Sequence, residues 1–327
     1  MPYTIRPANL PSEYPAIAAV LAAENPGWSA TAEELSYTDA TRDPAHHHAT
    51  FVAIAETDES MLMVGVAFVG HDALAHRPGK FEINLRVQPE WQGRGVGKAL
   101  YAALLDHLAP LSAEELFAVV WHEVPRTARF LTERGFVETW RRIDWVLDVP
   151  TFDCTLYKGA EQRLRQQGIT IKTYADLAAD PKLLVKLHEL DWAIWQSIPY
   201  GQAVSKRTLA QFITQEIDHP KFIDAACFIA VHNGDYLGYS NLIECDEGFS
   251  TEITGVLPAW RGRGIATALK VAGIRYAQAH NAKRLDTQND AINGAIIALN
   301  QKLGFVEEGA NLRFSIHIRS SDLPSFH

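Results

Sequence analysis

Two glycine-rich segments with the same spacing carry the residue types best suited to chemistry in this chain. The first is Gln92-Gly93-Arg94-Gly95-Val96-Gly97-Lys98, and the second is Arg261-Gly262-Arg263-Gly264-Ile265-Ala266-Thr267. Each follows a strand-like run and precedes apolar residues at helical spacing, so each is predicted to open a helix. The first turn of a helix leaves backbone N–H groups unpaired, and glycines let an anion approach them closely. Both segments therefore predict phosphate sites, to which Arg94 and Arg263 add positive charge.

Two other kinds of phosphate-binding loop do not fit these segments. A dinucleotide-binding fingerprint needs a third glycine at position i+5, where Lys98 and Thr267 stand instead. A P-loop needs a serine or threonine after its lysine to hold magnesium, and here Ala99 follows Lys98. The segments are therefore predicted to bind phosphate in a different structural context.

The chain is a tandem duplication. Gln92 and Arg261 are separated by 261 − 92 = 169 positions, and Gly135 and Gly304 by 304 − 135 = 169 positions. This constant separation predicts that a long segment repeats without a net insertion or deletion. Each half therefore contains one glycine-rich segment and, further along, one predicted helix that ends in Gly-Phe.

Hydrophobic periodicity predicts the order β-α-β-β-β-α-β-α-β in each half. The first strands are residues 3–8 and 169–174, and the last strands are residues 140–149 and 312–318. This order indicates an α/β fold of the α+β type, a mixed sheet flanked by helices and present twice. A charged, proline-containing stretch separates the halves. The predicted domains are residues 1–150 and 169–327, joined by a linker at 151–168.

Composition and charge exclude several classes of protein. With 327 residues, the chain has room for two domains of ordinary size. Its net charge of −9 argues against a nucleic-acid-binding protein, whose phosphate contacts need clustered positive charge. A membrane span needs an apolar run of about 18 residues, and none is present, so a membrane protein is not expected. No signal peptide is recognisable, so secretion is not expected. The three cysteines are few and lack metal-ligand spacing, which favours the cytoplasm.

The two segments share the pattern Gln/Arg-x-x-Gly-x-Gly/Ala, and the later helices end in Gly135-Phe136 and Gly304-Phe305. This combination resembles the pyrophosphate loop and closing helix of the GNAT superfamily of acyl-CoA-dependent N-acyltransferases. The resemblance implies acetyl-CoA as the acyl donor, held in both halves by the glycine-rich segments and by the strand ends at Val87 and Val256. The tandem arrangement is also similar to that of the two-domain mycothiol synthases of this superfamily, in which the C-terminal domain is catalytic.

The second half carries further polar residues where the superfamily contacts its cofactor. Asn289 ends a predicted strand, Asn293 lies in the next turn, and Asn300 lies in the closing helix. The resemblance implies that these side chains contact the pantetheine arm of acetyl-CoA.

The resemblance also implies direct attack of an amine on the thioester in a ternary complex, with a backbone N–H near Val256 meeting the oxyanion. Glu252, four residues earlier, stands where some family members carry a catalytic glutamate, so it is the predicted base. The alternative is an edge-exposed charge without a role. At the constant separation of 169 positions, the counterpart of Glu252 in the first half is Ile83 (83 + 169 = 252). The nearest carboxylate, Glu82, is expected on the other face of the strand. The second half is therefore the predicted catalytic half.

The tyrosine that serves many family members as general acid is missing, because Leu131 and Asn300 occupy its position. Three alternatives stay open: the thiolate leaves without an acid, Tyr200 or a water supplies the proton, or catalysis is slow. The leading hypothesis is an N-acetyltransferase acting on the primary amine of a small molecule. The alternative hypothesis is a catalytically weak acetyl-CoA-binding sensor or scaffold module.

An aromatic group and a histidine run complete the candidate residues. Trp192, Trp195 and Tyr200 end the first helix of the second half, where the superfamily lines its acceptor site. The i, i+3 spacing of the two tryptophans also suits a core position. The side chains of His46-His47-His48 cannot converge on one ion from a regular element, and they lack partners at ligand spacing, so a solvated loop and no metal are expected. No feature of the sequence indicates an oligomeric state.

Overall fold

The structure is a computed structural model that describes residues 2–24, 30–56, 61–121, 124–199, 203–245 and 247–318. In chain order, its strands are β1 (Tyr3–Pro7), β2 (His48–Glu56), β3 (Met61–Gly70), β4 (Lys80–Val87), β5 (Glu115–Trp121), β6 (Val137–Asp148), β7 (Ile169–Thr173), β8 (Cys227–His232), β9 (Asp235–Cys245), β10 (Gly248–Val256), β11 (Arg284–Asp290) and β12 (Val306–His317). Its α-helices are α1 (Tyr14–Glu24), α2 (Ala32–Ala40), α3 (Val96–Leu108), α4 (Pro125–Thr132), α5 (Lys158–Gln166), α6 (Leu183–Trp195), α7 (Leu209–Phe212), α8 (Ile265–Ala279) and α9 (Gly294–Lys302). Within these ranges, none of the helices has both the length and the apolar character needed to span a membrane.

The chain forms two compact units. The first unit comprises the residues up to Trp140 and those from Leu312 onward, and the second comprises Arg141–Asn311. Strand order is β1-β2-β3-β4-β5-β12 in the first unit and β7-β8-β9-β10-β11-β6 in the second. In each unit one central pair, β4–β5 or β10–β11, is parallel, while β3–β4 and β9–β10 are antiparallel. The predicted α/β fold with a mixed sheet flanked by helices is therefore confirmed.

Helices cover both faces of the sheet in the first unit. On one face, Val52 and Ile54 of β2 share a core with Ile17 and Val20 of α1. The other face is covered by α3, whose apolar side chains repeat at i, i+4 and so form one buried stripe. The buried residues of α3 are Val96, Leu100, Leu104 and Leu108.

The second unit repeats this arrangement. Leu190 and Ile194 of α6 share a core with Tyr239 of β9 on one face of the sheet. On the other face, Leu269 of α8 shares a core with Leu242 of β9. Each parallel strand pair thus lies between a first helix, α1 or α6, and the helix that follows the glycine-rich turn, α3 or α8.

The last strand of each half belongs to the other unit. β6 follows the first half in sequence, yet its residues 142–148 pair antiparallel with β11 of the second unit. β12 ends the second half, and its residues from Leu312 belong to the first unit beside β5. The boundaries at 1–150 and 169–327 follow the duplication along the sequence and stay a prediction, whereas the compact units exchange their final strands.

Candidate acyl-transfer site

Both glycine-rich segments form a tight turn that leads into a helix. Gly95 (φ 87°) and Gly264 (φ 86°) immediately precede α3 and α8, in a left-handed conformation that glycine adopts without strain. A Cβ atom on Gly95 would lie 3.2 Å from the hydroxyl oxygen of Tyr3. A Cβ atom on Gly264 would meet no atom of the described residues within 4 Å. The second turn is therefore the more open of the two predicted anion sites.

Cation–π contacts hold one arginine at each turn. The guanidinium of Arg94 lies 5.1 Å from the ring centroid of Trp91, and that of Arg263 lies 4.7 Å from the ring centroid of Trp260. Such contacts favour one position of a long, flexible side chain. Each turn therefore presents a full positive charge beside the unpaired N–H groups of the helix.

The first residue of each motif ties the turn to the preceding strand. Gln92 donates a hydrogen bond from Nε2 to the carbonyl oxygen of Val87 at 3.0 Å, and Arg261 donates from Nε to that of Val256 at 3.1 Å. Arg261 also donates to Oγ of Ser197 at 2.6 Å. Glutamine and arginine therefore position the turn by the same bond, which explains why either residue suits this place in the pattern.

The parallel strands separate just beyond their last pair. β4 and β5 pair only as far as Glu82 opposite Phe117, and β10 and β11 only as far as Thr251 opposite Thr287. In the first unit, the opening between the separating strands is a cavity of about 300 Å³. Its lining includes the predicted cofactor residues Val87, Gln92, Gly93, Gly95, Gly97 and Lys98.

Backbone N–H groups at the strand ends face these openings. The N–H of Leu257 donates to a carbonyl of β9, and the N–H of Gln88 donates to a carbonyl of β3. Because N–H groups alternate in direction along a strand, those of Val256 and Val87 point toward the opposite edge, where the neighbouring strand has separated. Within the described residues neither N–H is paired in the sheet, so each is available as a donor at the position predicted for the oxyanion contact.

Glu252 lies on a β-bulge. Thr251 is opposite Leu242 in β9, and Ile253 is opposite the next residue, Asn241, so Glu252 is an extra residue in β10. A bulge bends its strand and re-aims the side chain that it carries. Here it occurs at the point where β10 leaves β11.

Register with the parallel neighbour shows that Glu252 is an insertion relative to the first half. Lys80 lies opposite Glu115, and Gly248 lies opposite Arg284. Glu115 and Arg284 keep the separation 284 − 115 = 169, but Lys80 and Gly248 differ by 248 − 80 = 168. The one-residue difference is the bulge, so Glu252 has no counterpart in the first half.

One expectation about β4 is corrected by this register. The pairing of Ile83 with Glu252 was wrong, because the constant separation crosses the inserted residue. Asn84 lies opposite Phe68, which packs on the α1 side of the sheet, and Glu82 alternates to that same side. Glu82 therefore lies on the opposite face from Ile83, as expected, but this does not separate it from the face of Glu252, because Ile83 is not the counterpart of Glu252.

The side chain of Glu252 is exposed, but the surrounding protein atoms leave its carboxyl group only partly hydrated, and we call these surroundings the recess. Loss of bulk hydration raises the pKa of Glu252 above its ordinary value, and the nearby Glu216 carboxylate raises it further. Arg142 and Lys221 oppose this shift. A glutamate with a raised pKa is the better general base near neutral pH.

The first unit has a titratable carboxylate in a different position. Burial raises the pKa of Glu82 to about 7, Asp72 contributes in the same direction, and Arg313 opposes it. At the separation of 168 that holds for this part of the strand, Glu82 corresponds to Ser250 (250 − 82 = 168). It therefore lies where β4 and β5 are still paired and not where they separate.

The predicted asparagines of the second unit form a buried polar group. Nδ2 of the fully buried Asn300 donates to Oδ1 of Asn289 at 2.9 Å. Oδ1 of Asn300 has no hydrogen-bond partner within the described residues. A buried acceptor left over in this way fits an N–H donor from a ligand, such as a pantetheine amide. Asn293 instead caps α9, because its Oδ1 accepts from the N–H of Ile296.

Of the three aromatic residues predicted near the acceptor, two can be placed. Trp192 and Trp195 lie half-buried near the end of α6, and the ammonium of Lys206 lies 5.9 Å from the Trp192 ring centroid. Tyr200 lies outside the described residues. Their role as an acceptor wall stays a prediction.

A charged network on the α6 side was not predicted. Tyr239 donates from its hydroxyl to Asp191 at 2.5 Å, and Arg207 bridges Asp191 and Glu216. Glu216 lies in a π-helix, Ile213–Ile217, a rare element that often occurs at functional sites. The sequence showed one signal for this network, a charged Asp191 within the apolar stripe of α6.

The histidine run is not the solvated loop that was expected. His46, His47 and His48 are half-buried, and His48 begins β2. His46 stacks on His76 with centroids 4.4 Å apart, and His47 stacks on His107 at 5.0 Å. The expectation was wrong because neighbouring loops cover the run. No group of three or more His, Cys, Asp or Glu side chains is arranged to hold a metal in the described part of the chain.

The acetyltransferase (GNAT) family matches residues 16–136 and 184–305, and each match contains one glycine-rich turn and one opening between parallel strands. The chain belongs to this family. The predicted tandem arrangement of two GNAT domains is thereby confirmed. Each matched segment also ends at the Gly-Phe pair that closes its helix.

Relatives and solved structures agree with this assignment. The chain is 24% identical to a mycothiol acetyltransferase of Streptomyces coelicolor over 239 residues, 70% of this chain and 69% of that one. It is 26% identical to that of Streptomyces avermitilis over 233 residues, 70% of each chain. Among solved structures, a tandem GNAT protein from the clavulanic acid biosynthesis pathway has a TM-score of 0.72 at 19% identity, covering 99% of this chain and 100% of that one. The GCN5-related N-acetyltransferase of Sphaerobacter thermophilus has a TM-score of 0.64 at 19% identity, with 99% and 97% covered. At such identities the structures show the shared fold.

Proposed function

We propose that this chain is an acetyl-CoA-dependent N-acetyltransferase that acetylates the primary amine of a small molecule, with the second unit as the catalytic one. The observation that carries the proposal is Glu252, a recessed carboxylate on a β-bulge where β10 leaves β11. Bulges are over-represented beside active sites. The family and the relatives named mycothiol acetyltransferases support acetyl transfer.

Acetyl-CoA is the proposed donor, and the open turn of the second unit is the proposed grip on its pyrophosphate. The N–H groups of Gly264 and of the first residues of α8 would meet the phosphate oxygens, and Arg263 would supply the charge. The pantetheine arm would follow the opening between the strands. There Oδ1 of Asn300, which has no partner within the described residues, would accept a hydrogen bond from an amide N–H of the arm. Ile265, Ala266 and Thr267 form the first turn of α8 and complete the grip.

The acceptor amine must lose a proton before it attacks the thioester. Glu252 takes that proton, directly or through one water, and the nitrogen lone pair then attacks the carbonyl carbon. The N–H of Val256 meets the oxyanion that forms. As this intermediate collapses, the C–S bond breaks, CoA leaves as its thiolate and the nitrogen gives up its second proton to Glu252, which has passed the first to water. Direct attack is favoured over a cysteine intermediate, because burial raises the pKa of Cys154 and raises that of Cys227 to about 12.

The charges around the recess support a cationic acceptor. Glu216 and Asp191 lie on the same side of the sheet as α6, and Arg207 offsets only part of their charge. An ammonium group is attracted to such an acidic recess before it is deprotonated. Trp192 and Trp195 are the proposed apolar wall for the rest of the acceptor, with Tyr200 as a further candidate.

The test is release of the CoA thiol from acetyl-CoA in the presence of a panel of monoamines, polyamines, amino sugars and aminoglycosides. We expect release with at least one amine and a product acetylated on nitrogen by mass spectrometry. Tight acetyl-CoA binding without release across the panel would instead favour the sensor or scaffold function. A cytoplasmic location is part of the proposal, supported by three cysteines that are all free thiols.

A further inference from the structure

Lys270 of α8 is a buried lysine without an anionic partner. The residue is only 3% exposed to solvent. Nζ is 3.4 Å from Oγ1 of Thr287 and 4.6 Å from the ring centroid of Phe305. No carboxylate in the described ranges forms a salt bridge with it. Burying an ammonium in this way costs several kcal/mol unless a negative group compensates, so the position calls for an explanation.

The ammonium lies at the closed end of the opening in the second unit. Thr287 is the last residue of β11 that pairs with β10, and the strands separate immediately beyond it. The side chain of Lys270 therefore reaches the place where a thioester inserted between the strands would end. Asn289, two residues further along β11, holds Asn300 and its orphan oxygen on the same side.

The first unit shows that the fold does not require this polar group. At the separation of 169, the residues Lys270, Thr287, Asn289 and Asn300 correspond to Tyr101, Ala118, Val120 and Leu131. Leu131 and Val120 are buried, so the first unit lines the equivalent part of its opening with apolar side chains. A costly polar group in only one of two similar openings points to a ligand in that opening.

We infer that Lys270 is a further catalytic residue, whose ammonium lies against the sulfur of CoA and stabilises the thiolate as it leaves. The inference rests on the proposed function of the second unit. In the step concerned, the N–C bond of the amide forms, the C–S bond breaks and its electron pair stays on sulfur. The acceptor ammonium loses two protons: Glu252 takes the first before the attack and passes it to water, and it takes the second from the nitrogen as the tetrahedral intermediate collapses. The thiolate takes a proton from solvent when CoA dissociates. Lys270 keeps its own proton throughout.

A transient anion explains why no permanent carboxylate accompanies this lysine. A fixed carboxylate would neutralise the ammonium before the thiolate forms, whereas an unpaired ammonium is most stabilising where charge develops during the reaction. Burial lowers the pKa of Lys270 to about 7, and a thiolate beside it would restore the charged form. This arrangement also supplies what the missing tyrosine acid of the family would do for the leaving group.

The first experiment needs no turnover. The complex of the chain with CoA is titrated with pH, and the thiolate of the bound CoA is followed by its ultraviolet absorbance. An ammonium at contact distance lowers the pKa of a thiol by about 1 to 3 units, so we expect the bound thiol to titrate that much lower in wild type than in Lys270→Met. Lys270→Arg keeps the charge and should retain part of the shift. Lys283→Met, at an exposed lysine, is the matched control and should titrate like wild type.

A second measurement uses wild type alone, in case Lys270→Met fails to fold. The affinities for CoA and for desulfo-CoA, which lacks the sulfur, are compared from about pH 6 to about pH 8. We expect CoA to gain affinity relative to desulfo-CoA as pH rises, because the bound form is the thiolate. Parallel affinities at every pH, or a bound thiol that titrates alike in wild type and Lys270→Met, would overturn the inference.

Kinetics separate this inference from the proposed function. Lys270→Met should lower kcat by about 10²- to 10³-fold and leave the Kd for acetyl-CoA nearly unchanged, since the thioester sulfur is neutral before the reaction. If no amine is acetylated while the bound thiol still titrates low, the proposed function fails and the placement of Lys270 stands. If amines are acetylated and kcat of Lys270→Met equals that of wild type, the function stands and the role of Lys270 is refuted.

Discussion

The two units contain the same parallel strands, turn and closing helix, but only the second has an inserted residue where the strands separate. In the first unit β4 is regular, and Ile83 at this place is buried. In the second, the bulge presents Glu252 to a recess. The turn of the first unit is also crowded by Tyr3, whereas that of the second is open. The comparison indicates that a shared scaffold holds both openings and that a few residues decide which of them can support chemistry.

The largest expected effect separates the two turns. Gly264→Glu places a carboxylate at the proposed pyrophosphate site and should abolish turnover and remove one acetyl-CoA site. Gly95→Glu is the matched control, because both glycines have nearly the same φ, 86° and 87°, and both variants therefore carry a similar strain of about 1–2 kcal/mol. Gly95→Glu should keep the turnover of wild type.

Calorimetric titration with acetyl-CoA measures the number of binding sites in wild type and in these two variants. We expect two sites per chain in wild type, because both turns keep their glycines and an arginine, and one site in each variant. A stoichiometry of one in wild type that survives Gly95→Glu would show that the first turn is vestigial. Loss of turnover in Gly95→Glu with normal turnover in Gly264→Glu would reverse the assignment of the two units.

The next effect concerns the carboxylate on the bulge. Glu252→Gln is nearly isosteric and should keep the fold and the affinity for acetyl-CoA, but lower kcat by about 10²- to 10⁴-fold, the usual contribution of a positioned base. The loss should shrink as pH rises, because more of the amine then arrives deprotonated. In wild type, the acid limb of kcat/KM should lie above the ordinary glutamate value of about 4.3, since burial raises the pKa of Glu252.

Glu82→Gln serves as the control for this variant. Glu82 also has a raised pKa and lies on the corresponding side of its sheet, but the strands around it are still paired. We expect its kcat to equal that of wild type. Full activity of Glu252→Gln at every pH, together with an inactive Glu82→Gln, would place the base in the first unit.

Much of this comparison was visible in the sequence. The turns, the left-handed glycines that open α3 and α8 and the mixed sheets follow from local patterns, because glycine at positive φ and apolar periodicity are properties of short segments. The position of Asn300 also followed from the repeat. A one-residue insertion, however, is hidden when the segments on either side are aligned by a constant separation, so Glu252 was matched to Ile83. Only hydrogen-bond register reveals such a bulge.

Other features depend on long-range packing and escaped the sequence for that reason. The exchange of β6 and β12 between the units leaves no local signal, since each strand has the same alternation in either sheet. The sequence does contain one sign of the buried ammonium: Lys270 is the only charged residue between Ile265 and Ile274. A charge in an otherwise apolar stretch of helix is buried only when another element covers it, and here β11 does so.

A smaller effect would sharpen the contrast between the units through acid stability. Burial is the largest of the effects that lower the pKa values of His46, His47, His71 and His107. Burial and the nearby Arg42 lower the pKa of His48 to about 4. Because folding favours the neutral rings, the unfolded state binds more protons, and stability falls as pH drops below about 6.5.

For His48 alone, the free energy of unfolding should fall by about 3 kcal/mol between pH 6.5 and pH 4, where half of the folded molecules carry a protonated His48. His48→Gln does not titrate and should flatten that part of the curve. Hydrogen exchange at acid pH should show amides of the first unit losing protection before those of the second. Equal loss in both units, or no change of slope in His48→Gln, would contradict the prediction.

The smallest expected effect, also in the first unit, has the opposite sign over nearly the same pH range. Burial raises the pKa of Glu82 from 4.5 to about 7, so the folded state binds a proton that the unfolded state has lost. Stability from this group is therefore complete below about pH 4.5 and is lost as pH rises to about 7, by at most about 3 kcal/mol. Glu82→Gln removes the penalty, so it should match wild type at pH 4 and exceed it in free energy of unfolding at pH 8, as measured by denaturant titration. Equal stability of the two proteins at both pH values would mean that the Glu82 carboxylate is hydrated in the folded state.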